Sequence, residues 1–211
     1  IVLFQSEIRR ILEELGNNSV FDASAYLSQG DNNEQVIEEM ILALEHMARR
    51  RVGALIVVEN KTHLNDVIAT GTRVDGLVSQ PLIENIFEPN TPLHDGAIVV
   101  RGDRVVSAAC LLRLSDTTGV GRDLGTRHRA GLGMSEISDA IVFIVSEETG
   151  IISKAERGYL VRHLDAASLR QILHGLYDSQ QKETRVPLLH FGQIRQRRRA
   201  AHDERPTDKN A

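Results

Sequence analysis

Two short stretches hold the side chains best suited to chemistry. Leu93-His94-Asp95-Gly96-Ala97 sets an imidazole and a carboxylate beside a glycine, and further along Gly125-Thr126-Arg127-His128-Arg129-Ala130 concentrates two guanidinium groups and a second imidazole. A carboxylate can accept a proton or hold a cation, while guanidinium forks match phosphate oxygens bidentately and a threonine adds a hydroxyl donor. Together they suit chemistry on a polyphosphate, which needs one group for a hydroxyl or metal and fixed charges for phosphate oxygens.

Each piece also has a plainer reading. Asp95-Gly96 is common turn chemistry, and a three-residue basic cluster is more often an ordinary solvated surface. His94 is divided between a histidine satisfied by a backbone partner and a metal ligand, for which a neutral imidazole suits Mn²⁺ or Co²⁺ better than Mg²⁺. Ser146-Glu147-Glu148 closes an apolar run, where ligands gather at the carboxyl ends of strands, or is simply an acidic turn before Gly150. Ser146 would face a β- or γ-phosphate, and one of the two glutamates, Glu148 slightly preferred, a metal. Leu55, Gly76 and Leu77 line an adenine pocket in one reading and belong to the core in the other, which burial favours for Leu55.

The elements that must position these groups are partly legible. Ala54-Leu55-Ile56-Val57-Val58 is a short, continuous apolar run, which predicts a strand buried on both faces near the centre of a sheet. Ala97 to Val100 and Val105 to Leu111 flank Arg101-Gly102-Asp103-Arg104 and predict a β-hairpin; Ala140 to Val145 predicts another buried strand. Apolar residues at helical spacing predict helices over 4–15, ending at Gly16, and over 31–51, opened by a capping box of Asp31 and Glu34. Ala130-Gly131-Leu132-Gly133 can begin a helix just after the basic cluster, and Asp165 opens a final helix with Leu169, Ile172, Leu173 and Leu176 on one face. The fold class that follows is α/β, a mixed central β-sheet flanked by helices in a single globular domain over 1–194, with 195–211 a disordered basic tail.

Composition narrows the partners. The 211 residues carry a formal charge of -4, but from Arg195 onward there are six Lys/Arg against three Asp/Glu, so the preceding 194 carry 19 basic and 26 acidic groups. An acidic body with 4% aromatic residues disfavours nucleic acid as a partner. Cys110, alone, can form no internal disulfide and reads as a buried, inert thiol in a reducing compartment. No apolar stretch approaches the roughly 20 residues that span a bilayer. The opening Ile1-Val2-Leu3-Phe4-Gln5 has neither an initiator Met nor a signal-peptide layout, so the chain reads as a soluble fragment of a longer protein.

The neighbours of the two motifs carry a resemblance. Gly53-Ala54-Leu55-Ile56-Val57, Thr91-Pro92-Leu93-His94-Asp95-Gly96-Ala97, Leu124 to Gly131 and Val145-Ser146-Glu147-Glu148-Thr149-Gly150 resemble the diadenylate cyclase (DAC) domain in its membrane-linked bacterial branch, over roughly residues 1 to 175. That resemblance implies a nucleotidyltransferase that condenses two ATP into cyclic di-AMP, a second messenger, with release of pyrophosphate. The catalytic motif would be Asp95, Gly96 and Ala97, with Asp95 beside the ribose 3′-hydroxyl. ATP would be bound by Leu55, Gly76, Leu77, Gly125, Thr126, Arg127, His128, Arg129, Ser146 and Glu147. His94, Asp95 and Glu148 would serve a divalent metal, Mn²⁺, Co²⁺ or Mg²⁺.

It further implies a homodimer, because attacker and target sit in different protomers, and attachment to the cytoplasmic face of a membrane through a segment absent from this chain, with regulatory protein partners open. Leu111-Leu112-Arg113-Leu114 departs from the Tyr-Leu-Pro-Leu of many relatives, which puts an aromatic contact to adenine in doubt. The rival reading from another class is a module that senses ATP or a cyclic dinucleotide without turnover. It would use the same pocket without needing Asp95 paired to a metal-capable His94.

Overall fold

The structure is a computed structural model that describes residues 22–116 and 125–184, with side chains described over 32–116 and 125–180. The helix predicted over 4–15 and the tail 195–211 lie outside the described residues. In chain order the elements are α1 (Asp22–Arg50), β1 (Ala54–Val58), α2 (Asn65–Ile68), β2 (Thr72–Leu77), α3 (Gln80–Phe87), β3 (Ala97–Arg101), β4 (Arg104–Cys110), α4 (Thr126–Ile137), β5 (Ile141–Val145), β6 (Ile152–Glu156), β7 (Tyr159–Arg162) and α5 (Ala166–Thr184). The strands form one mixed sheet in the order β2-β4-β3-β1-β5-β6-β7, so the apolar run at 54–58 is its central strand.

Period-two alternation explains why β1 and β5 read as continuous apolar runs. Ala54, Ile56 and Val58 of β1, with Ile141, Phe143 and Val145 of β5, join a core containing Ile37, Met40, Leu44, Leu169 and Leu173 from α1 and α5. Leu55 and Val57, with Val142 and Ile144, point the other way, into a second core with Ala130 and Met134 of α4. Helices cover both faces, and both sets of side chains are lost to solvent. The hairpin and the mixed α/β sheet are therefore as predicted, and Asp165 caps α5 by accepting from the Ser168 N–H at 2.8 Å.

Two helix starts differ from expectation. α1 begins at Asp22, so Asp31 lies inside the helix and is no capping residue. Its far end is a left-handed cap: Arg51 takes φ 53°, its N–H donates to Ala48 O (3.1 Å) and the Val52 N–H to Met47 O (2.9 Å), turning the chain into β1. α4 begins at Thr126, so Arg127, His128 and Arg129 form its first turn instead of a loop ahead of it. No helix among the described residues is long and apolar enough to cross a membrane.

Candidate active site

Strand direction decides which residues share an edge. β1 runs parallel to β3 with Ile56 opposite Ile98, and antiparallel to β5 with Ala54 opposite Val145. Asp95 stands just ahead of β3 and Gly53 just ahead of β1, at the same end of this parallel pair, and Ser146 and Glu147 leave β5 at that end. One edge of the central three strands thus collects the start of β3, the start of β1 and the end of β5.

Gly96 is what allows Asp95 to stand at that edge. Its φ of 113° is a conformation that favours glycine, and a β-carbon there would lie 2.8 Å from Cys110 O and 2.9 Å from the Ala109 carbonyl carbon. β3 therefore starts pressed against the end of β4, with Asp95 exposed ahead of it and engaged by no hydrogen bond or ion pair among the described residues. Ala97 is buried and pairs with Cys110, so its contribution is to the strand, through the second core.

His94 is half-buried, and its Nδ1 lies 2.6 Å from Thr91 O. A carbonyl can only accept, so Nδ1 carries the proton and Nε2 keeps its lone pair in the neutral ring. Thr91 is fixed in turn by its hydroxyl donating to Glu88 O at 2.9 Å. Both readings of His94 are thus compatible: one ring nitrogen is satisfied by backbone and the other is a lone-pair donor.

The basic cluster splits three ways, as the hundred-degree steps of a helix require. Arg127 reaches the edge, where its Nη1 donates to Glu147 Oε2 at 2.5 Å above Gly53. Arg129 is exposed and turns toward 111–116, its Nη2 3.4 Å from Ser115 O. His128 turns inward: it is 5% exposed, its Nε2 is 3.5 Å from Ser153 Oγ, and burial, then the Arg162 charge, lowers its pKa and keeps the ring neutral. It anchors α4 to β6 and presents no ring face at the edge. Gly125 is the N-cap of α4 and provides no side-chain cap; its carbonyl accepts from the His128 and Arg129 N–H groups (3.1 and 3.3 Å), which leaves the Thr126 and Arg127 amides at the helix start. A helix start of this kind favours an anion.

The β5 end is a tight turn. Gly150 N–H donates to Ser146 O (2.8 Å), Ser146 N–H to Ile151 O (3.1 Å) and Thr149 N–H to Ser146 Oγ (3.2 Å). The Ser146 hydroxyl proton remains a donor, Glu147 is held by Arg127, and Glu148 is exposed. Among the described residues no three His, Cys, Asp or Glu side chains stand close enough to hold a metal, so His94, Asp95 and Glu148 are not a preformed set of ligands.

Three predicted base contacts end up elsewhere. Leu55 is core, 3% exposed beneath α4. Gly76 and Leu77 lie opposite Val105 and Arg104, at the hairpin end of the sheet, because β2 runs antiparallel to β4. That is level with Val100 and Arg101 of β3, five to six residues or roughly 16–20 Å along the strand from Asp95. Leu111, which follows the Ala97 partner Cys110, is instead 71% exposed at the edge, its N–H donating to Thr70 Oγ1 at 3.0 Å. Gly53 was singled out by no chemistry in the sequence; only its place before a buried strand hinted at crowding.

A guanidinium and a helix N-terminus at one edge of a mixed α/β sheet, with a carboxylate that has no partner among the described residues, define the site. Residues 41–160 match the family model described as DisA bacterial checkpoint controller nucleotide-binding, DAC. The chain is 41% identical over 184 residues to the cyclic di-AMP synthase CdaA of Bacillus subtilis, covering 87% of this chain and 67% of that one. It is 45% identical over 174 residues to a diadenylate cyclase of Listeria monocytogenes, covering 82% and 63%. A crystal structure of DacA from Staphylococcus aureus, a double mutant, superposes with a TM-score of 0.68 at 44% identity, over 70% of this chain and 98% of that one. The chain belongs to the diadenylate cyclase family, and it spans about two thirds of the length of these curated relatives.

Proposed function

We propose that this chain condenses two ATP into cyclic di-AMP with release of pyrophosphate, and that the sheet edge at Asp95 is where it does so. The observation that supports the reading is that β1 and β3 are adjacent and parallel, so the start of β3, which Asp95 precedes, and the start of β1, where Arg127 meets Glu147 over Gly53, lie at the same end of the sheet. Asp95 accepts the proton of the ribose 3′-hydroxyl as that oxygen attacks the α-phosphate of the second ATP. Arg127, Thr126 and the α4 amides receive the triphosphate, with the Ser146 hydroxyl as a further donor. Arg129 contributes charge from the side of 111–116. Leu111 offers the base an apolar surface where many relatives carry an aromatic ring.

No ready-made metal cluster exists among the described residues, so a divalent cation would be held by His94 Nε2 or the Asp95 carboxylate together with nucleotide oxygens. When bound, it would lower the pKa of the hydroxyl and offset phosphate charge. Glu148, exposed after β5, would be a further carboxylate for it, and a nitrogen ligand favours Mn²⁺ or Co²⁺ over Mg²⁺.

Asp95 serves the hydroxyl of the ATP it faces, so two copies meet edge to edge around a twofold axis and each transfer is made equivalent to the other. In the cell the partners are a second copy of this chain and, through a segment outside it, a membrane, with the catalytic part on the cytoplasmic face. Incubation with ATP and Mn²⁺ over a series of protein concentrations, followed by chromatography, tests the whole reading. Cyclic di-AMP should appear, with a rate per protomer that rises with concentration. ATP left unchanged at every concentration and with every metal would contradict it.

A further inference from the structure

The spot where Arg127 meets Glu147 is defined by an atom that Gly53 lacks. A β-carbon at Gly53 would stand 2.5 Å from Arg127 Nη1, 2.8 Å from Arg127 Cζ and 2.9 Å from Glu147 Oε2. Real β-carbons essentially never come so close. The backbone makes no such demand, because Gly53 is not among the positive-φ glycines, and the three nearest crowding atoms belong to these two side chains. Both side chains are fixed from behind: Arg127 leaves the first turn of α4, and Glu147 leaves the turn closed by Gly150 N–H to Ser146 O.

We propose that Gly53 is a positioning residue, its bare α-carbon the seat in which Glu147 holds the Arg127 guanidinium at the head of β1, at the same end of the sheet as Asp95. The proposal rests on reading Arg127 as a triphosphate ligand. The Glu147 contact engages Nη1, and a guanidinium has five donors, so a seated arginine keeps the rest of its fork for an anion. Its side chain is 22% exposed, so its rotamer freedom is already spent before phosphate arrives. The nearest atoms a β-carbon would meet are the tips of two flexible side chains, so the sheet can stay intact while they move.

The test compares wild type, Gly53→Ala, Arg127→Ala, the double variant and Gly175→Ala, a glycine with open space around it. The guanidinium Nε–H resonance of Arg127 in isotope-labelled protein reports the seat without nucleotide. Calorimetry with a nonhydrolysable ATP analogue and Mn²⁺ reports its use. Gly53→Ala should shift and broaden that resonance, keep the melting temperature, and weaken binding about tenfold, the loss of one charge-assisted hydrogen bond. The double variant should bind as Arg127→Ala does, and Gly175→Ala as wild type.

A resonance untouched by Gly53→Ala overturns the seat. So does a binding loss that recurs in full in the Arg127→Ala background, since the β-carbon would then be blocking nucleotide directly. Wild-type protein that binds no adenine nucleotide sinks the cyclase reading instead, and the resonance alone then decides the seat.

Discussion

The two ends of β1 carry clusters of similar composition and opposite character. At its C-terminal end the Glu59 carboxylate, 2% exposed, receives Arg101 Nε at 2.7 Å, Arg101 Nη2 at 2.9 Å and the Leu64 N–H at 2.9 Å, with His63 Nδ1 at 3.0 Å. Its backbone carbonyl accepts from Gln180 Nε2 at 3.0 Å, and nearby the Tyr177 hydroxyl donates to Gly102 O at 2.8 Å. At the N-terminal end Asp95 is exposed and unengaged among the described residues, and Arg127 holds a single carboxylate across Gly53. A buried cluster whose lone pairs are met from within the chain contributes to the fold, whereas the exposed Asp95 carboxylate is left to solvent and, in the proposed reading, to substrate.

The contrast is sharpest at the carboxylates. Asp95→Asn should lower cyclic di-AMP formation by roughly a hundred- to ten-thousand-fold, the usual scale for removing a general base, while affinity for the ATP analogue and the melting temperature stay near wild type. Quench-flow assay and calorimetry on the same preparation check it; normal turnover would move the chemistry away from Asp95.

Glu59→Ala should do the reverse, costing about 1–3 kcal/mol of stability by removing the buried acceptor of the Arg101 and Leu64 hydrogen bonds, with the half-exposed Arg101 charge left to solvent. Chemical denaturation measures it, and activity per folded molecule should survive. Burial pushes the Glu59 pKa up, but hydrogen bonds from Arg101, Leu64 and His63 outweigh it and leave the carboxyl below its ordinary value. A depressed carboxyl stabilises the fold above its unfolded pKa and loses that contribution as pH falls through the folded value. The stability difference between wild type and Glu59→Gln should therefore be full at neutral pH and shrink in the acid range below the ordinary glutamate pKa; a constant difference would contradict it.

The arginines of α4 come next. Arg127→Ala should weaken analogue binding by about tenfold and Arg129→Ala by less, because only Arg127 is seated at the edge. Equal losses in calorimetry would mean that the loop beside Arg129 closes over the nucleotide. The smallest effect belongs to neither end: Gly175→Ala, mid-helix in α5 with open space around it, should stabilise the protein by about 0.5–1 kcal/mol.

What the sequence made legible was whatever burial had written twice. β1 and β5 are packed on both faces, so their runs of Val and Ile announced central strands, and the turn at Arg101-Gly102-Asp103-Arg104 announced the β3–β4 hairpin. β2, β6 and β7 escaped because they lie toward the sheet edges and carry polar residues such as Thr72, Arg73, Lys154 and Glu156 among their apolar ones. The start of α1 escaped because a polar stretch containing Gly30 continued the helix where propensity alone would end it.

Residue type alone drew attention to Asp95, Arg127 and Glu147, and the structure brings Arg127 and Glu147 into contact. Residue type was no guide where direction decides. Gly76 and Leu77 follow β1 closely in sequence yet are carried to the hairpin end, and His128 sits between two arginines yet turns into the core.

The central claim is that Asp95 and Arg127 address one triphosphate from the same sheet edge. A crystal structure of this protein with a nonhydrolysable ATP analogue and Mn²⁺ tests it most directly. The account predicts phosphate oxygens within hydrogen-bonding distance of the Arg127 guanidinium and the α4 amides, with the ribose 3′-hydroxyl next to Asp95. A nucleotide seated elsewhere, such as the groove between α5 and β6, with Asp95 and Arg127 both untouched, would contradict it.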